Sequence, residues 1–133
     1  MTLAEIRDWL KTFDVAEHYY IGRLDNKQEK SLGVYQRSRG GSPVIAIGGV
    51  ELSSYDIKGV SLLLHWNRNA RETEEAAQRL WRCLLGAAHV DVPDRSHVQY
   101  VQPNVPEPIA VGTDDSGIYE YVIELNLYFK RKE

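Results

Sequence analysis

The chain contains one cysteine, Cys83. A lone cysteine excludes an intramolecular disulfide and any cysteine-based zinc cluster. Set mid-helix, it reads as a small buried apolar residue rather than a nucleophile. Positive charge is also scarce: 16 Lys and Arg face 19 Asp and Glu, a net charge of −3. Domains whose main task is to coat nucleic acid carry a basic excess, so that class is disfavoured, while a local basic patch stays open. No apolar run approaches the roughly 20 residues that span a bilayer. The opening "MTLAEIRDWL" carries acids and lacks a signal-peptide core, which predicts a protein that is cytosolic when made. There is no phosphate-cradling G-x-x-x-x-G-K-[ST] loop and no G-x-S-x-G elbow. His18, His65, His89 and His97 form no H-x-H or H-x-x-x-H pair. Repeats, linkers and low-complexity tracts are absent.

What is present suffices for a core. Hydrophobic residues are 43% of 133, the size and make-up of one domain spanning residues 1–133. Thr2 followed by Glu5 fits a capping box. Leu3, Ile6, Leu10 and Phe13 then recur at helical steps, predicting a first helix from Leu3 to Phe13. "EHYYIGRL" and "SLGVYQRS" read as two short strands joined by the polar "DNKQEK". "RGGSP" is a turn, and "VIAIGGVEL" a short strand that bends at its paired glycines. "KGVSLLLHW" is apolar on both faces, as an inner strand should be. Asn69 caps a second helix whose buried stripe is Ala76, Ala77, Leu80 and Leu84, with Gly86 placed to stop it. "SHVQYVQ" is a further strand. "PNVPEP", with three prolines in six residues, is an edge or connector. From Tyr119 to Phe129 apolar residues fall on odd positions and mostly polar ones on even positions, a long half-buried strand. The order α-β-β-(β)-β-α-β-β predicts an α+β fold: a mostly antiparallel β-sheet with two α-helices packed against it.

Two groups of residues invite a chemical reading. Asp114 and Asp115 stand side by side before Ser116 and Gly117, a pairing that resembles a metal-binding or catalytic loop. The further oxygen ligands of a calcium loop do not follow, and "TDDSG" has the composition of a tight turn. A small metal-assisted enzyme using Asp114, Asp115 and a histidine is therefore an alternative with a single motif behind it. His65, between Leu64 and Trp66, reads as a sheet residue with one satisfied nitrogen. The second group is basic. Arg23, Arg37 and Arg39, with Lys130, Arg131 and Lys132, lie at strand or loop ends, where oligomeric symmetry could multiply them into a basic rim. A peptide- or protein-binding module using an open strand edge is a further alternative.

Three stretches taken in order carry a resemblance: "LGVY" after a polar loop, "VSLLLHWNRNARETEEAAQRL", and the closing "VGTDDSGIYEYVIELNLY". Together the chain resembles the minor capsid proteins of tailed bacteriophages, in the tail-terminator and head–tail joining group, from roughly Tyr20 to Arg131. The resemblance implies a structural virion protein of a phage or prophage, with no catalysis and no cofactor. It implies a subunit that forms a ring, taken as a hexamer, terminates the tail tube and docks head-completion proteins. Its partners would be copies of itself, tail-tube proteins and head-completion proteins, with room for non-specific contact with passing DNA and none with a membrane. Its location would be the head–tail junction of the virion, and the bacterial host cytoplasm during assembly. Candidate interface residues are Arg23, Arg37, Arg39 and Arg131. The polar segments 25–30 and 37–42 are expected to be mobile alone and ordered on docking.

Overall fold

Local signals set the ends of both helices. The Thr2 hydroxyl accepts the Glu5 N–H at 3.1 Å and opens α1, Leu3–Lys11, shorter than predicted. The helix stops because the Thr12 N–H and hydroxyl both turn back to the Trp9 carbonyl, and Asp14 takes a left-handed φ of 52°. Phe13 nevertheless stays with the helix face, its ring edge-on to Trp9 at 5.3 Å. Asn69 accepts the Glu72 N–H and opens α2, Ala70–Leu85, and Gly86 closes it. The Glu72 carboxylate accepts a hydrogen bond from Asn67 Nδ2 at 2.7 Å, and Asn67 Oδ1 accepts the Asn69 N–H at 2.9 Å. The capping role is thus shared between two asparagines.

The computed structural model describes residues 1–37, 56–87, 90–92 and 96–131. Among them are seven strands: β1 (His18–Ile21), β2 (Ser31–Gln36), β3 (Asp56–His65), β4 (Val90–Val92), β5 (Ser96–Pro103), β6 (Ile109–Thr113) and β7 (Tyr119–Arg131). They form one sheet in the order β1-β2-β3-β7-β5-β4, with β6 also paired to β7. All pairs are antiparallel except β1–β2. The two helices and this sheet make the α+β fold that the residue pattern predicts. The strand expected at "VIAIGGVEL" lies outside the described residues.

Period-two alternation divides the sheet into two faces. Leu32 and Val34 of β2, Val60, Leu62 and Leu64 of β3, and Ile123, Leu125 and Leu127 of β7 are all buried. They share one cluster with Ile6, Trp9 and Leu10 of α1 and Ala76, Ala77, Leu80 and Leu84 of α2. The odd positions of β7 therefore face the helices, as the alternation predicts. On the other face the β3–β7 register sets His65 opposite Glu120, Leu63 opposite Val122 and Ser61 opposite Glu124.

β1 and β2 are neighbours, as their spacing suggests, but they run parallel. Residues 22–30 must then carry the chain back along the sheet before β2 begins. Their apolar anchor is Leu24, which is buried. A Cβ on Gly33 would meet Leu24 Cδ2 at 2.9 Å, so the absent side chain is what lets the return segment lie against β2. That segment is tied by hydrogen bonds from the Lys27 N–H to Asp25 Oδ1 and from the Lys30 N–H to the Trp66 carbonyl.

β5 and β6 are successive pieces of one interrupted strand along the same side of β7. The Asn104 N–H reaches the Glu124 carbonyl at 2.8 Å, and Ile109 rejoins opposite Val122. Residues 105–108 loop out against Ile123 alone. Pro106 and Pro108 lack the N–H that a continuous ladder needs, which explains the detour.

Candidate functional site

The acidic pair is split by its turn. Asp114 Oδ1 accepts the Ser116 N–H at 2.8 Å and the Ile118 N–H at 3.0 Å. Its backbone N–H and carbonyl bind Ile118 and Gly117. Gly117 has a φ of 82°, which only glycine adopts without strain, so "DDSG" closes β6 onto β7 in four residues. Asp115 is exposed. The Asp114 carboxyl is held below its ordinary value, first by the Ile118 N–H. Desolvation opposes this, and the Ser116 N–H with nearby His65 and Arg68 adds to it. Arg68 Nε also donates to the Ser116 carbonyl at 3.0 Å, fastening the turn to the start of α2.

Behind this turn is a cluster that the sequence spacing did not reveal. His65 is 0% exposed. Its Nδ1 lies 2.9 Å from Glu120 Oε2, and its Nε2 lies 3.2 Å from the Asn26 carbonyl and 3.7 Å from Asp114 Oδ2. Both nitrogens therefore have partners, where the sequence reading allowed for one. The ring joins the return segment, β3, the acidic turn and β7. Shielded from solvent, it acts as a fastener. The signal was present only in register: His65 and Glu120 are directly opposed across two strands 55 positions apart. Among the described residues, no group of three or more His, Cys, Asp or Glu is arranged to hold a metal ion.

The basic candidates separate. Register brings the backbones of Arg23, Arg37 and Arg131 toward one end of the sheet, because β1 and β2 end there and β7 runs to it. Arg23 is exposed. Arg37 is committed across the sheet: its Nη2 donates to Asn126 Oδ1 at 2.6 Å, and its Nε lies 3.8 Å from Glu124 Oε2. Arg131 is fixed through its backbone, which pairs with Ser96. Arg39 and most of segment 37–42 lie outside the described residues.

The surface best suited to recognition is β6. All five of its residues are exposed, including Ile109 at 43% and Val111 at 51%. Among the described residues it pairs with β7 on one side only, which leaves its other edge with backbone donors and acceptors for a partner. β6 itself was read from sequence as connector and turn. The pattern "IAVGT" before a turn and a long strand is a hairpin signal, obscured by the prolines ahead of it.

Compared with known proteins, the chain matches no protein-family model and no curated protein. Among the described residues no helix is long and apolar enough to cross a membrane.

Proposed function

We propose that this chain is a structural virion protein of a tailed phage or prophage, a subunit that closes into a ring at the head–tail junction, ends the tail tube and docks head-completion proteins. The observation that carries the reading is the β6 edge, open among the described residues: a fully exposed, partly apolar strand on a seven-stranded sheet. Monomers normally blunt such an edge with lysine, with proline in the strand or with a covering segment. Here Pro106 and Pro108 precede the strand, and neither Lys nor Arg occurs within it. A strand edge met by a different surface of the next copy makes a heterologous contact, and such contacts form rings when the rotation closes. The three resembling stretches supply the phage setting: "LGVY" becomes β2, "VSLLLHWNRNARETEEAAQRL" becomes β3 and α2, and the third runs from β6 through the turn into β7.

The same edge would serve a module that adds a foreign peptide strand. The two readings part on self-association. Purified protein mixed with isolated tail tubes and viewed by electron microscopy should cap tube ends with ring-shaped density. Tube ends left bare at every protein concentration would overturn the reading.

A further inference from the structure

Grooves bordering α2 present unpaired charges of opposite sign among the described residues. On the β6 side, Glu107 is exposed at the tip of the looped-out segment and has no hydrogen bond or ion pair among the described residues. Beside it, Pro106, Pro108 and Tyr121 face Glu74 and Gln78 of α2 across a shallow groove.

Another side of α2 borders the residues that follow α1. There Arg79 and Arg82 border a groove of about 370 Å³ shared with Phe13, Val15 and Cys83, and a larger one of about 680 Å³ that reaches Lys30 and Trp66. The acids around these grooves are largely engaged. Glu72 accepts from Asn67, Glu75 from Arg71 Nε at 3.3 Å and Glu74 from the Tyr121 hydroxyl at 3.4 Å. Asp14 on the rim is the exception. Arg79 and Arg82 have no such partner among the described residues. One helical turn apart, they present two free guanidiniums over an apolar floor.

We infer that Glu107 and its proline-flanked loop in one copy of the chain dock against Arg79 and Arg82 of the next. The inference rests on the ring reading and names its mating surfaces. The fit is one of charge: an unpaired carboxylate on a protruding, proline-stiffened segment meets two unpaired arginines beside an apolar hollow. The two surfaces are different parts of the chain, the segment that precedes β6 and the outer side of α2. The contact is therefore heterologous, the kind that propagates around a ring when its rotation closes.

Two measurements test this. In a Cys83→Ser background, Arg82→Cys and Glu107→Cys proteins are mixed and oxidised. A disulfide between the two variants is expected, with far less covalent dimer in either alone. In the otherwise natural chain, Glu107→Arg or Arg82→Glu alone should raise the concentration needed for half-assembly by about tenfold or more, through like-charge opposition. Combining them should restore assembly most of the way. If the natural chain assembles, while single reversals leave it unchanged and the mixed cysteines stay unlinked, the mating surfaces lie elsewhere and only this inference falls. If the natural chain never self-associates and no cross-link forms, the inference and the ring reading fall together.

Discussion

Asp114 shows how one carboxylate can look like a reagent and act as a hinge pin. Its Oδ1 is occupied by two backbone donors, and its pKa is lowered chiefly by the Ile118 N–H. A carboxylate whose folded pKa lies below its unfolded value of 3.8 contributes its full stabilisation above that value and loses it as pH falls through the folded pKa. Stability should therefore drop more steeply on acidification in the natural chain than in Asp114→Asn, as read by urea titrations at a series of pH values below 5 or so. At neutral pH, Asp114→Ala, which removes the oxygen that accepts both hydrogen bonds, should lower stability by about 1–3 kcal/mol. His65 makes a parallel case. His65→Leu leaves the Glu120 carboxylate and the Asn26 carbonyl without their shared partner. A loss of about 1–3 kcal/mol is expected, with faster amide exchange in residues 22–30 than in α2. Unchanged exchange there would mean that the ring does not hold the return segment. Arg37 is the residue whose role changes most between sequence and structure. Its charge is spent on Asn126 and Glu124, so Arg37→Glu would set two carboxylates together and disturb the sheet before it tested any basic rim.

At the scale of elements, the stretches in which local rules and tertiary packing agree were legible. Thr2 and Asn69 cap where their side chains predict, and the alternation of β7 assigns its buried face correctly. Asn69→Ala should lower stability by about 0.5–2 kcal/mol, measurable by denaturant unfolding. Three things were hidden, each because the local residue pattern does not carry it. The parallel pairing of β1 and β2 depends on the gap at Gly33 that admits Leu24. β4 is three residues long, too short to show a period. β6 follows a proline-rich detour and borrows its pairing from β7. The His65 fastener was invisible for the same reason, since only the β3–β7 register brings its parts together. β6 also gives the sharpest element-scale test. Val111→Lys changes an exposed side chain, so stability should move by no more than about 0.5 kcal/mol. Yet a lysine on an open edge opposes strand addition, and self-association should weaken strongly. A variant that assembles like the natural chain would show that the β6 edge stays outside the interface.

For the whole molecule, the arrangement separates rigidity from recognition. Two helices and one face of the sheet bury a single continuous core, while the return segment and the acidic turn are tied down around His65. Among the described residues, several features without a partner lie on the outside: a strand edge, two arginines on α2 and a glutamate on a looped-out segment. A fold of this kind presents interfaces on a fixed frame, and that is the property a ring subunit needs. The most direct measurement is sedimentation velocity of the purified chain over a wide concentration range. The account predicts conversion from monomer to one larger species of discrete size, as ring closure requires, and loss of that species in Val111→Lys. A monomer at every concentration, or a ladder of ever-larger oligomers with no preferred size, would contradict it.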